Sequence, residues 1–443
     1  IVDFNEERKR AFFGTTSLWK TPGIGGTFWE FDLFDFKNEE NLKWGIKYDE
    51  IKDSYKRAWQ FLNIKPEKYK FASIKKFKRW EKIPTEYNIK RASSYYTFGR
   101  TYEDFIEKKK KELSNSKNIK IIFNTSLEKL IFNKETKKIE KIITKDANNR
   151  TNEYFGGDII LSTGCFENNK ILINLKSDNK IKLDNLGKYI SFHPSLSIGK
   201  IILKKSRYIS KAEINELSKC FTLKPKMIDK KSNLNYGLTI NPINFQGKIN
   251  NDLLKKIQLF KDLIIRRRFL KFLIELIKFT INLDLFRYLI YKLKVNLYKV
   301  HIFDVSICFE HLTDKKNSLH LQDDQKSIII NTYLNKKNIS FLKKAIIENQ
   351  SIFKNLFPEY QSKNINLEKL TFDTNKHHHG GTIITTDNRK GVVDKNLKVK
   401  NINNLYISGS SIFPNSSIYN PTLTIIAMSL RLSKYLLNKR LGK

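Results

Sequence analysis

The sequence predicts an α/β chain of two domains interleaved along its 443 residues, and three observations carry that expectation. Between residues 118 and 164, short β-branched runs alternate with polar turns and end in a strand that enters a glycine turn. Asn404 to Ser410 reads as a buried strand leading to a second small-residue turn. Asn420-Pro421 then opens a helix in which Leu423, Ile426, Ala427, Leu430 and Leu437 recur at core spacing. A strand, a small-residue turn and a helix in succession are how an α/β sheet presents backbone N–H groups to a ligand. The chain is also longer than one core usually supports, and no repeat or low-complexity linker divides it.

In order along the chain, residues 1–30 are dense in Gly, Thr and Trp and read as loop. From Asp49 to Asn63 the positions Ile51, Tyr55, Ala58, Trp59 and Leu62 define an amphipathic helix, and Tyr102 to Leu113 a second, strongly charged one. Strands are expected at Ile119–Phe123, Lys129–Phe132 and Lys141–Ile143, then a buried strand from Asp158 to Gly164, with a helix beginning at Ile171 to Leu175. Residues 251–300 mix Leu, Ile and Phe with Lys and Arg on all sides, so they are expected to form helices packed on the protein rather than a membrane anchor.

Charge and composition exclude several partners. The net charge of +38 comes from 83 Lys and Arg against 45 Asp and Glu. These lysines are spread over the whole chain, with an excess of Asn, Ile and Phe, so no nucleic-acid partner is expected. No run of about 18 uncharged apolar residues occurs, so no transmembrane span is expected, while peripheral membrane contact stays open. Cys165, Cys220 and Cys308 are odd in number and lack CxxC spacing, which argues against a disulfide framework or zinc site and fits a reducing, cytosolic (cytoplasmic) location. The opening Ile1-Val2-Asp3 has no initiator Met and no signal peptide, so the chain is expected to start in the middle of something.

The last seventy residues hold the chemistry. His377-His378-His379-Gly380-Gly381-Thr382 is no metal site, because three consecutive histidines cannot all face one ion from a strand and no carboxylate lies at ligand spacing. Asn420 suits an N-cap and Pro421 the first helical position, and the helix end offers unpaired amides and partial positive charge.

The ordered series HHxGGT, GVVD from Gly391 to Asp394, NLYxxGSS from Asn404, FP, NPTLT from Asn420 and an Ala/Leu-rich terminal helix resembles the C-terminal signature of the glucose-methanol-choline flavoprotein oxidoreductases. Upstream, Gly14-Thr15-Thr16-Ser17-Leu18-Trp19 is similar to the family's GGTS-x-x-W loop, although Phe13 stands where a glycine is wanted, and His193-Pro194 is similar to the pair that opens its substrate domain. The strand, GxGxxG turn, helix and ribose-binding acid that open the family's flavin domain do not occur, and Gly23-Ile24-Gly25-Gly26 has neither strand before it nor helix after it. The resemblance therefore implies a lost N-terminal segment or an incomplete product, and these residues alone are expected to bind flavin weakly or not at all.

The resemblance also implies a fold and a mechanism. A Rossmann-like FAD/NAD(P)-binding domain would take 1–28, 117–190 and 388–443, with an interleaved α+β substrate-binding domain from 29–116 and 191–387. FAD would meet Gly14, Thr15 and Thr16, Leu127, Gly164, Gly409, Ser410, Pro421 and Thr422. His377 or His378, as the first residue of HxxG, would take the hydroxyl proton of an alcohol, and Asn420 would hold its oxygen. Sugars and polyols are the expected small-molecule substrates, with the electron acceptor left unassigned. A second reading stays open: a non-catalytic fragment or binding module whose basic 251–300 stretch contacts a membrane.

Overall fold

A computed structural model describes residues 12–18, 28, 30–31, 35–36, 42–63, 87–91, 106, 108–204, 221–225, 236–242, 300–324, 327–367, 377–387 and 390–442. Trp19, Gly23 to Gly26, Cys220 and residues 251–299 lie outside them, and so does the expectation of helices there.

The first core begins with α1, Tyr48–Phe61. Its expected face, Ile51, Tyr55, Ala58 and Trp59, is buried together with Leu62. The same core takes in Leu130 and Ile139 of a three-stranded antiparallel meander, β2 (Thr125–Asn133), β3 (Lys138–Asp146) and β4 (Thr151–Tyr154). Its turns come from short polar side chains that imitate backbone acceptors. The Asn133 Oδ1 accepts from the amides of Glu135 at 2.8 Å and Thr136 at 2.9 Å, and the Asp146 Oδ1 from Asn148 and Arg150 at 2.8 and 2.9 Å.

Next comes a parallel pair, β5 (Ile159–Leu161) and β15 (Leu405–Ile407), in register Leu405↔Ile159 to Ile407↔Leu161. Asn404 fastens the meander to it: its side chain accepts from Ile139 N at 2.8 Å and donates to the carbonyls of Ile139 at 2.9 Å and Gly157 at 2.8 Å. Each strand of the pair feeds a helix, α2 at Cys165–Asn179 and, after a 3-10 turn at Ser410–Ile412, α4 at Thr422–Arg440. The α4 helix packs on α1, where the Tyr55 hydroxyl bonds Thr424 Oγ1 at 2.8 Å and accepts from Phe31 N at 3.2 Å. Burial raises the pKa of this phenol, so the bond is made by the neutral form. Tyr55→Phe should therefore lower stability by about 1–3 kcal/mol, by leaving a buried amide and hydroxyl without this partner, as read by denaturant unfolding.

The second core lies between a six-stranded antiparallel sheet and one long helix. The sheet order is β1 (Tyr87–Arg91), β8 (Phe221–Pro225), β9 (Tyr236–Pro242), β10 (Val300–Phe309), β7 (Ser195–Lys204), β13 (Tyr360–Ser362). Helix α3, Lys336–Leu356, starts at Asn335, whose side chain accepts from Asn338 N, and buries Phe341, Leu342, Ala345 and Phe353 among Ile201, Tyr236 and Val305. A four-stranded antiparallel sheet runs β12 (Ile328–Asn331), β11 (Ser318–Leu321), β6 (Lys188–Phe192), β14 (His378–Gly381).

The fold is mixed α/β, as expected. Of the parallel sheet that a Rossmann-like domain implies, the described residues contain the one pair β5 and β15; every other ladder between named strands is antiparallel. Five local expectations need correction. Residues 119–123 form no strand: Ile119, Ile122 and Phe123 are exposed, and among the described residues no strand pairs with them. Asp158 to Gly164 is not buried throughout, since Ile160 is 45% exposed on the β5 edge. Helix α2 starts at Cys165, six residues before the apolar run that signalled it, because its first turn is carried by buried amides. On α4 the buried position is Leu436, while Leu437 faces out at 57% exposure. Gly14–Leu18 is a 3-10 turn rather than irregular loop. The second charged helix is present, over 108–114. Among the described residues no helix is long and apolar enough to cross a membrane.

Candidate active site

Where β5 and β15 end, two small-residue turns stand side by side: Ser162-Thr163-Gly164 and Ser408-Gly409-Ser410. One buried amide ties them together. The Asn168 Oδ1 accepts from Thr163 N at 3.0 Å and Thr163 Oγ1 at 2.7 Å, while Nδ2 donates to Ser408 O at 3.2 Å and Ser411 Oγ at 3.1 Å. Gly409 has φ +132°, a conformation costly for any residue with a Cβ. Neither glycine is there for crowding: a Cβ on Gly164 would meet nothing within 4 Å, and one on Gly409 only Asn168 Nδ2 at 3.5 Å. Over these turns lies a cleft of about 740 Å³, lined by Gly164, Gly409, Ser410 and Ser429 at one end and by Leu436 and Arg440 at the other. That volume is in the usual range of ligand pockets.

The histidine segment is joined to the glycine turn of this cleft through Ser410, although none of its own residues lines the cleft. β14 pairs antiparallel with β6, His378 opposite Phe192 and His379 opposite Ser191. Ser410 Oγ donates to His378 O at 2.6 Å, and Thr382 N donates to Ser411 O at 3.0 Å, so the glycine turn and the histidine strand form one hydrogen-bonded unit. Asn169 adds a third tie, donating to Gly380 O at 3.1 Å and Cys165 O at 2.8 Å.

The three histidines have different surroundings. His377 keeps partial solvent contact, and its Nδ1 lies 2.9 Å from Nδ1 of His193. The His378 ring is buried against Phe166, centroids 4.4 Å apart, and meets Phe192 edge-on at 5.8 Å. The His379 ring is fully buried and stacked on Phe413 at 5.6 Å, with no hydrogen-bond partner on either ring nitrogen among the described residues. Burial, reinforced by the neighbouring histidines, holds His377 and His379 well below the ordinary imidazole pKa. Burial also lowers His193 to about 4, against the opposing pull of a hydrogen bond to the Ile418 backbone. At neutral pH these rings are uncharged, so each can act as a base or a hydrogen-bond donor but not as a cation.

The expected site residues divide into a central group and a remote one. Gly164, Gly409, Ser410, His377 and His378 are linked as described above. Pro421 is buried and Asn420 and Thr422 are partly buried, directly after the Ile418 backbone that meets His193. By hydrogen bonding the cap of α4 is Pro421, whose carbonyl accepts the first helical bond from Ile425 N at 2.9 Å, while its helical dihedrals are those of a first helical position. Asn420 therefore stands one residue before the cap. Gly14, Thr15 and Thr16 lie in the 3-10 turn, with the Thr16 hydroxyl on the Phe13 carbonyl, and Phe12 packs edge-on against Phe123 at 5.2 Å. Leu127 sits on β2, partly buried against the first core. No described contact joins Gly14, Thr15, Thr16 or Leu127 to the histidines. Asn168 and Asn169 were not anticipated, although two consecutive amides just after a strand-to-glycine turn are a usable signal, since Asn is a poor residue for a helix interior.

Residues 313–429 match the family model GMC oxidoreductase. This segment is similar to the GMC oxidoreductases. It contains β11, β12, α3, β13, β14, β15 and the start of α4, and with them every motif from His377 to Thr424. Over 67 residues the chain is 40% identical to the fructose dehydrogenase large subunit of Gluconobacter japonicus, a stretch that covers 15% of this chain and 12% of that protein. Two solved structures resemble it at a TM-score of 0.45: pyridoxine 4-oxidase from Mesorbium loti, at 12% identity over 72% of this chain and 58% of that one, and an FAD-dependent oxidoreductase from Chaetomium thermophilum, at 14% over 74% and 63%. The chain thus spans about three fifths of these two proteins, and its curated match about an eighth of the relative.

Proposed function

We propose that the GMC-like segment serves an FAD-dependent oxidoreductase acting on CH–OH groups, in which this chain supplies the base and much of the cofactor seat. The observation that carries the reading is the single hydrogen-bonded unit of glycine turn and histidine strand, in which Ser410 Oγ donates to His378 O at 2.6 Å. It gives a ligand held at Gly409 and a base at His377 or His378 a common rigid frame.

The residues present suit FAD. The turns at Gly164 and Gly409 leave open space where backbone amides can approach a ligand, the first turns of α2 and α4 have no side-chain cap, and Arg440 places a cation on the cleft. Gly164, Gly409, Ser410, Pro421 and Thr422 would hold the cofactor, with Gly14, Thr15, Thr16 and Leu127 as outer contacts implied by family resemblance. The bound flavin would accept the hydride.

The chain's own part is proton handling and charge placement. His377 is the better-supported base: its Nδ1 is engaged by His193, leaving Nε2 to take the hydroxyl proton, whereas the His378 ring is enclosed by Phe166 and Phe192. The Asn420 amide would hold the alcohol oxygen, and the α4 N-terminus favours negative charge placed before it. Sugars and polyols are the proposed substrates, in keeping with the fructose dehydrogenase match. A reducing, cytoplasmic location is proposed from the odd number and the spacing of the three cysteines.

Full-length protein purified with FAD should retain flavin absorbance after gel filtration. Gly409→Ala, which forces a Cβ into the φ +132° turn, should weaken that binding about tenfold or more. No retained flavin in the wild type, even after incubation with excess FAD, would refute the assignment.

A further inference from the structure

His193 enters the site by register. Because β6 and β14 pair with His378 opposite Phe192, His377 and His193 are the next pair along the ladder, one step beyond its end. Their Nδ1 atoms are 2.9 Å apart while the ring centroids are 5.2 Å apart and the planes differ by 27°. The nitrogens are much closer than the centroids, so the rings lie end to end, as a hydrogen bond in the ring planes requires, and not face to face. His193 is itself held in place. Pro194 restricts its backbone to extended conformations, the Pro194 carbonyl accepts from Phe309 N at 3.1 Å, and the ring is buried.

We propose that His193 is a positioning residue that fixes the orientation and tautomer of His377, so that His377 carries its proton on Nδ1 and presents a bare Nε2 to the substrate. A hydrogen bond between two imidazoles needs one N–H and one lone pair, so the two tautomers are set together. A neutral His193 carries one proton. We assign that proton to Nε2, so that Nδ1 accepts and His377 donates. This role rests on His377 being the base, but the tautomer can be read without any turnover.

The test is long-range ¹H–¹⁵N NMR of the full-length protein labelled at histidine, with His377 assigned through its own substitution. In the wild type His377 should show an unprotonated Nε2. His193→Asn, whose amide oxygen can accept where Nδ1 did, should keep that state, and His193→Leu should shift His377 toward the Nε2–H form that free imidazole favours. In the FAD-loaded protein, His193→Leu should lower kcat on the order of 10²-fold with KM little changed, and His193→Asn should recover most of it. A wild-type His377 protonated at Nε2, or one whose tautomer is the same in the Leu variant, overturns the proposal whatever the alcohol turns out to be. A correct tautomer with no alcohol turnover would sink the proposed reaction instead and leave the positioning role standing.

Discussion

His377→Ala in the FAD-loaded protein is expected to slow flavin reduction by alcohol about 10²–10⁴-fold while flavin stays bound. The imidazole lies next to the glycine turns without sharing in their hydrogen bonds, so its removal takes away the proton acceptor and leaves the seat intact. Because burial holds the ring neutral well below its ordinary pKa, the wild-type rate should keep its acid limb below about pH 6.5. Asn420→Ala should cost less, since it removes a hydrogen bond and leaves the base in place. His378→Ala is the internal control: its ring fills space between Phe166 and Phe192, so its loss should appear as lowered stability more than as lowered rate. Stopped-flow bleaching under anaerobic conditions measures all three, and a His378 variant slower than the His377 variant would move the base one residue along.

The largest effect on stability is expected from Gly380→Ala. Gly380 sits at φ +88°, and a Cβ there would lie 2.1 Å from the Tyr189 carbonyl oxygen, a backbone atom that cannot swing aside. The left-handed backbone costs about 1–2 kcal/mol and the forced contact about 1–3 kcal/mol more. Together they should lower the unfolding midpoint by on the order of 10 °C, read by thermal denaturation. The damage should also reach function, because the shift would separate β14 from β6 and with it His377 from His193. An unchanged midpoint would mean that β14 does not approach β6 this closely.

How much of this was legible in the sequence depended on whether the signal was local. The α1 face showed plainly, because Ile51, Tyr55, Ala58 and Trp59 repeat at helical spacing and all are buried. The Asn404 and HHHGGT motifs stood out as motifs, but their work is tertiary: Asn404 joins two sheets, and Gly380 is demanded by a strand nearly two hundred residues earlier. His193 was visible as half of an HP pair, yet its partner is 184 residues away and is chosen by strand register, which spacing cannot show. Apolarity misled at Ile119–Phe123, where a β-branched run pairs with no strand among the described residues, and at Leu437, where a turn of α4 buries Leu436 instead.

The central proposal is that the GMC-like segment of this chain builds a hydride-transfer site for an alcohol. It is tested most directly by mixing full-length, flavin-loaded protein with fructose, other sugars and polyols in the absence of oxygen and following the oxidised-flavin absorbance. Bleaching by at least one of these alcohols in the wild type, slowed in His377→Ala at equal flavin content, is the expected result. Flavin that stays oxidised with every alcohol, or bleaches equally fast without His377 and His378, would contradict the account.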